Sequence, residues 1–126
     1  MKVDEASKII VKILAEQIST HNSTSLIVSG GESPKNILKI LDKIGFQWEK
    51  VEIMLADERL VDINNKHSNE KKLKENFFKN YSINAKYTSI RKLEIKDITY
   101  QVAILGFGLD GHFASIFPEH IDDENF

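Results

Sequence analysis

The stretch Leu26-Ile27-Val28-Ser29-Gly30-Gly31-Glu32-Ser33-Pro34 decides the fold class of this chain. Its first three residues form a short apolar run rich in β-branched side chains, which is typical of a buried strand. The two glycines then predict a tight turn. Ser33 suits the N-cap of a following helix and Pro34 suits its first position. That helix would bury one apolar face and end at Gly45; the face consists of Ile37, Leu38, Leu41 and Ile44.

The alternation of strands and helices continues on both sides of this unit. Upstream, apolar residues at steps of three and four predict an amphipathic helix from Val3 to about Ile18. Downstream, Val51 to Leu55 and Val102 to Leu105 have the composition of buried strands, and a short strand is predicted around Tyr87 to Ile90. Another helix is predicted after residue 69, containing Leu73, Phe77 and Phe78.

Strands that alternate with helices predict an α/β fold, in which a mostly parallel sheet carries helices on both faces. Residues 1–126 are predicted to form a single domain, because the chain is too short for two ordinary cores. In such sheets ligands bind beyond the carboxyl ends of the strands. Residues 29–33, 57–59 and 106–112 each follow a predicted strand, so we expect these three segments to lie together at one edge.

Composition excludes several classes of function. The 17 basic and 19 acidic residues nearly balance, which gives no electrostatic reason to expect a nucleic-acid partner. The absence of cysteine rules out disulfides and sulfur-ligated metals, and the histidines lack ligand spacing, so we expect no metal. The first apolar run is broken by Lys12, so neither a signal peptide nor a membrane contact is predicted and the expected location is cytoplasmic.

Two of the three segments suit the binding of an anionic ligand. The turn of Ser29, Gly30, Gly31 and Ser33 would present backbone amides at a helix N-terminus, where an anion is favoured. A strand-to-helix turn without any ligand fits the same residues, and the lysine of a nucleotide-binding P-loop is absent. In Asp57-Glu58-Arg59 the guanidinium can hold a carboxylate or phosphate, although an isolated charged triplet more often simply faces water.

The third segment, Gly106-Phe107-Gly108-Leu109-Asp110-Gly111-His112, supplies a titratable side chain. Its glycines match a dinucleotide fingerprint, which we reject because that motif belongs to the first strand and needs an acid about twenty residues later. His112 can accept a proton from water near neutral pH, with Asp110 or Asp57 fixing its tautomer. A purely structural histidine is equally compatible with this pattern.

Taken together, the three segments resemble the 6-phosphogluconolactonase family. The resemblance rests on Ser-Gly-Gly-Glu-Ser-Pro from Ser29, on Ala-Asp-Glu-Arg-Leu-Val from Ala56 with Ser68-Asn69 after it, and on Gly-Phe-Gly-Leu-Asp-Gly-His-Phe-Ala-Ser-Ile-Phe-Pro from Gly106. It implies a Rossmann-like fold similar to that of glucosamine-6-phosphate deaminases and ribose-5-phosphate isomerases. It also implies hydrolysis of 6-phosphoglucono-δ-lactone to 6-phosphogluconate in the pentose phosphate pathway, without a metal or organic cofactor.

The resemblance also implies a role for each segment. His112 would activate water, Arg59 and the amides of the loop that contains Gly108 and Gly111 would stabilise the oxyanion, and Asp57 would orient Arg59 or His112. The catalytic set is then His112, Asp57, Arg59 and Asp110. The substrate phosphate would be held by the first turn, through Ser29, Gly30, Gly31 and Ser33.

Two departures from the family pattern keep other hypotheses open. Phe113 stands where the family favours threonine, and the family's chains are longer, so this chain resembles their N-terminal and central part. It is expected to be a fragment, a degraded copy, or a protomer that covers its sheet by forming a homo-oligomer. The alternatives to a lactonase are a catalytically weak sugar-phosphate-binding or assembly module, and an isomerase or deaminase with Asp57 as the base. Arg59 argues against the latter, because those relatives usually carry an aromatic residue at that position.

Overall fold

The computed structural model describes residues 2–92 and 101–106. Three helices and four strands follow one another in this part of the chain, with short 3-10 turns at Trp48–Lys50, Tyr81–Asn84 and Ile90–Lys92. In chain order the elements are α1 (Val3–His21), β1 (Thr24–Val28), α2 (Glu32–Leu41), β2 (Val51–Leu55), α3 (Asn69–Asn76), β3 (Lys86–Tyr87) and β4 (Val102–Ile104). No helix in the described part is long and apolar enough to cross a bilayer.

The four strands form one sheet in the order β3-β2-β1-β4, and every neighbouring pair is parallel. Val28 of β1 is in register with Leu55 on one side and with Ile104 on the other. The chain moves from β1 outward to β3 and then returns to the opposite side of β1. The sheet therefore has its topological switch point between β1 and β4, where ligands bind in open α/β folds.

The predicted α/β class with a parallel sheet is confirmed, and its core lies on one face of that sheet. Alternate residues of β1 and β2 point to this face and are fully or nearly fully buried. All three described helices pack against it, through Leu14 and Ile18 of α1, Leu38 and Leu41 of α2, and Leu73 of α3. Helices on the second face stay a prediction.

The start and end of α2 differ from the sequence-based expectation. Gly31 occupies the N-cap position with φ 128°, so the helix begins at Glu32 and the prediction of Ser33 as N-cap is wrong. Only glycine adopts this φ readily, and it lets the helix begin two residues earlier than the predicted start at Pro34. Pro34 is the third helical residue, where its missing N–H has no intrahelical partner to lose. The helix ends at Leu41, well before Gly45.

The region after α3 also differs, because aromatic packing overrides helical periodicity there. The helix ends at Asn76, and Phe78 has a positive φ of 63°. Phe77 packs edge-to-face on Trp48 with ring centroids 5.3 Å apart, and Phe78 reaches Tyr87 at 5.7 Å. Continuing the helix would move both rings away from these partners. The strand predicted around residues 87–90 is shorter, since β3 contains only Lys86 and Tyr87.

Candidate active site at the carboxyl edge of the sheet

The glycine turn and the start of the third segment meet at the switch point. Ser29 directly follows β1, and its N–H donates to the carbonyl of Ile104 at 2.9 Å. The N–H of Gly106 in turn donates to the Ser29 hydroxyl oxygen at 3.0 Å. Ser29 is nearly buried, so this contact fixes the two segments against each other. The Ser29 hydroxyl is therefore engaged in joining the two loops.

Of the remaining predicted site residues, some lie outside the described part of the chain. His112, Asp110, Gly108 and Gly111 belong to residues 107–126, which the structure does not describe. Their roles stay predictions. The described residues contain no group of three histidine, cysteine, aspartate or glutamate side chains that could hold a metal ion.

An open groove lies beside the glycine turn and is lined by lysines that the sequence analysis did not single out. Its volume is about 310 Å³, the size of a small-ligand site. Lys35, Lys66 and Lys72 line it together with Gly31, against the two acids Glu32 and Glu75. Lys35 and Lys72 also line a smaller cavity together with Gly30. The surroundings of the turn therefore carry the positive charge that a phosphate group requires.

The sequence predicts the closeness of Lys35 to the glycine turn, but not that of Lys72. Lys35 directly follows Pro34, within the first turn of α2, so its closeness to the glycine turn follows from the predicted helix. Lys72 lies in α3, and its position beside the turn depends on how α2 and α3 pack. Lys35 forms an ion pair of 2.7 Å with Glu32, whose side chain is 81% exposed and therefore well solvated.

Glu58 anchors the Asp57–Arg59 loop to the N-terminus of α3. The Glu58 carboxylate accepts hydrogen bonds from the N–H groups of Arg59, Asn69 and Glu70, and from the Ser68 hydroxyl, at 2.7–3.0 Å. Burial alone would raise the pKa of Glu58, but these donors together hold the pKa below its ordinary value. Glu58 is thus a structural acid, and the expectation of a fully solvated charged loop is wrong for this residue.

A second anchor, Arg91, comes from a distant part of the chain. Its guanidinium donates to the carbonyls of Val61 at 2.7 Å and Arg59 at 3.4 Å, and approaches the Glu58 carboxylate at 3.4 Å. The Arg59 side chain itself is exposed. Within the described residues no carboxylate forms an ion pair with Arg59, so its guanidinium projects from a fixed backbone toward solvent at the sheet edge.

Replacing Glu58 with glutamine should make the chain less stable in a pH-dependent way. An amide NH₂ would face backbone N–H donors, so we expect the free energy of unfolding at pH 7 to fall by about 2 kcal/mol. Because the folded-state pKa of Glu58 is lowered, the wild type has this contribution above the unfolded pKa and loses it as pH falls through the folded value. The difference between the two proteins should therefore shrink in acid.

Denaturant unfolding between pH 7 and pH 3 measures this difference. Glu49→Gln removes the same charge from an exposed position and should shift stability by less than about 0.5 kcal/mol. A Glu58→Gln variant as stable as Glu49→Gln at pH 7 would contradict the anchoring role of Glu58.

Comparison with known proteins places this architecture in a defined family. The family model described as glucosamine-6-phosphate isomerases/6-phosphogluconolactonase matches residues 2–97. The chain belongs to this family. Among curated members, 6-phosphogluconolactonase of Helicobacter pylori strain J99 is 32% identical over 115 residues, and that of Rhizobium meliloti strain 1021 is 32% identical over 120 residues. These matches cover 81% and 83% of this chain but 51% and 52% of the two relatives, so it spans about half their length.

Solved structures of family members have the same fold. A 6-phosphogluconolactonase from Shewanella baltica superposes with a TM-score of 0.82 at 28% identity, covering 90% of this chain and 55% of the other. The Thermotoga maritima 6-phosphogluconolactonase gives a TM-score of 0.76 at 28% identity, covering 91% of this chain and 60% of the other. The parallel sheet with its packed helices is thus the architecture of the family.

Proposed function

We propose that this chain hydrolyses 6-phosphoglucono-δ-lactone to 6-phosphogluconate, as a cytoplasmic enzyme that needs no metal or organic cofactor. The observation that carries the proposal is that the glycine turn, the Asp57–Arg59 loop and Gly106, the first residue of the third segment, lie at one sheet edge. The glycine turn touches Gly106 through Ser29, and the Asp57–Arg59 loop follows the neighbouring strand. The family's curated members named above are lactonases, which supports the same activity here.

The glycine turn would hold the phosphate end of the substrate. Backbone amides of Gly30 and Gly31 and the first turn of α2, including Ser33, favour an anion at the helix N-terminus. Lys35 and Lys72 would add the positive charge that a glycine turn lacks. Holding one end of a small sugar acid brings its other end to a defined place, which converts the hydrolysis into an oriented reaction within one complex.

The chemical step would take place at the lactone carbonyl. His112 would accept a proton from a water molecule whose oxygen attacks the carbonyl carbon. The resulting oxyanion would be stabilised by the Arg59 guanidinium and by amides of the loop that contains Gly108 and Gly111. When the tetrahedral intermediate collapses, the ring C–O bond breaks and the departing oxygen takes the proton back from His112. Asp57 or Asp110 would keep the imidazole or guanidinium in position.

The decisive experiment measures lactone opening by the purified 126-residue chain above the spontaneous rate. A rate above background supports the proposal. A rate at background refutes it, and binding of 6-phosphogluconate without turnover would then support a sugar-phosphate-binding module. Self-association, measured by sedimentation, stays a separate prediction.

Neutralising the two lysines should weaken substrate binding more than the chemical step. For Lys35→Gln combined with Lys72→Gln we expect KM to rise about tenfold with kcat changed by less than about threefold, since the lost interaction is the same in ground and transition states. Initial rates at fixed ionic strength measure this split. Lys39→Gln removes a single positive charge one turn further along α2 and should leave KM unchanged; a rise in KM as large as that of the double variant would contradict the assignment.

A further inference from the structure

Asn69 fills the space between the glycine turn and Asp57. It is the first residue of α3 and is 2% exposed. Its side-chain Nδ2 donates to the main-chain carbonyl of Asp57 at 3.2 Å and lies 3.5 Å from the Asp57 carboxylate. On the other side the carboxamide presses against Gly30, where an added Cβ would stand 2.6 Å from Cγ of Asn69. One buried amide therefore touches both halves of the proposed site.

The position of Asn69 is fixed by its own backbone. Its N–H donates to the Glu58 carboxylate at 2.7 Å, and the preceding Ser68 caps α3 through its side chain. The carboxamide thus extends from a rigid helix start toward the sheet edge. Burying an amide is costly unless it is hydrogen-bonded, so a buried carboxamide whose donor group faces Asp57 strongly restricts where that residue can sit.

We propose that Asn69 is a positioning residue that sets the distance between the phosphate-holding turn at Gly30 and the carboxylate of Asp57. The proposal rests on the lactone hydrolysis proposed above, in which the turn holds one end of the substrate and Asp57 orients the groups that act on the other end. Because Asn69 is 2% exposed, it acts through these two neighbours. Small displacements of this kind lower the rate of an oriented reaction far more than they lower binding.

The kinetic test replaces Asn69 with aspartate, which has the same shape but no donor. The new carboxylate would repel the main-chain carbonyl and the carboxylate of Asp57. We therefore expect kcat to fall at least about thirtyfold while KM changes by less than about threefold. Asn80→Asp is the matched control, because Asn80 Nδ2 donates to the Asp42 carboxylate at 2.7 Å. Asp42 follows the C-terminus of α2, so the control makes the same chemical change at the far end of that helix.

Both aspartate variants will lose stability, but only Asn69→Asp should lower kcat. The rates are compared at a temperature where circular dichroism shows both proteins folded. A kcat for Asn69→Asp within about twofold of that for Asn80→Asp would overturn the proposal. If both amides were merely structural, their loss would affect the kcat of the two variants alike.

A double-mutant cycle tests the contact with Gly30 independently of activity. Gly30→Ala drives a methyl group into the carboxamide and should lower Tm, whereas Asn69→Ala makes room for it. The double variant should therefore melt roughly 4 °C or more above the additive expectation. Gly45→Ala is the control, since a Cβ there meets no atom closer than 3.7 Å, and it should be additive with Asn69→Ala.

The outcomes separate the two proposals. Wild-type turnover at background refutes the lactonase proposal and, with it, the role of Asn69 in positioning; the cycle then tests only the contact between Asn69 and Gly30. Additive melting temperatures for Gly30→Ala and Asn69→Ala would overturn the positioning proposal whatever the activity. Coupling together with the loss of kcat in Asn69→Asp would establish it.

Discussion

Replacement of His112 by alanine should lower kcat for lactone hydrolysis by about 10²–10⁴, bringing it close to the spontaneous rate. Alanine offers no proton acceptor, so the attacking water would have to lose its proton to solvent during the reaction. Binding should change little, because the phosphate is held at the glycine turn. Initial rates over a measured background of spontaneous opening test this expectation, and titration with 6-phosphogluconate tests that binding is retained.

The control for His112 is another histidine of the same chain. His67 is exposed in the loop before α3, and His67→Ala should leave kcat unchanged. Wild-type activity that survives His112→Ala would show that another group is the base. Turnover of an aldose phosphate or amino-sugar phosphate, abolished by Asp57→Asn, would instead support the isomerase or deaminase hypothesis.

Replacement of Arg59 by methionine should lower kcat by about 10²–10³, the usual cost of removing a donor to a developing oxyanion. In the structure this side chain is accessible to a ligand. Its backbone is fixed by Glu58 at the N–H and by Arg91 at the carbonyl, while its guanidinium lies exposed at the sheet edge. Methionine keeps most of the side-chain volume, so the variant should fold normally.

Arg59→Lys separates charge from geometry. Lysine retains the positive charge but loses the planar pair of donors, so we expect a kcat between those of the wild type and Arg59→Met. Steady-state kinetics of the three proteins measure the order. If Arg59→Met raises KM and leaves kcat unchanged, Arg59 binds the substrate's phosphate and does not stabilise the oxyanion.

Local sequence was sufficient for most of the elements and for the class of fold. Apolar runs at Leu26–Val28 and Val51–Leu55 predicted two strands that the structure contains, because buried parallel strands need continuous apolar residues. The periodicity of α1 predicted that helix in the same way, although it extends to His21 and ends where Asn22 adopts a left-handed conformation. The family resemblance was also legible in the three quoted segments.

The differences after α3 have one physical cause, which is packing between distant residues. The Phe77 and Phe78 side chains fit a helical pattern, but their contacts with Trp48 and Tyr87 decide the backbone after Asn76. The short strand β3 exists because it pairs with β2, a partner that local composition does not reveal.

By itself, the sequence determined the parallel α/β fold, the family, and the order of the three loops that form the candidate site, since each of these is encoded in local patterns and spacing. Only the tertiary structure decided which side chains support those loops. Strand β1 lies between β2 and β4, and this order brings Ser29 against Gly106. Asn69 lies between Gly30 and Asp57. Arg91 donates to the carbonyl of Arg59. Such contacts join residues far apart in the chain, so they arise from strand order and helix packing, which no local pattern encodes.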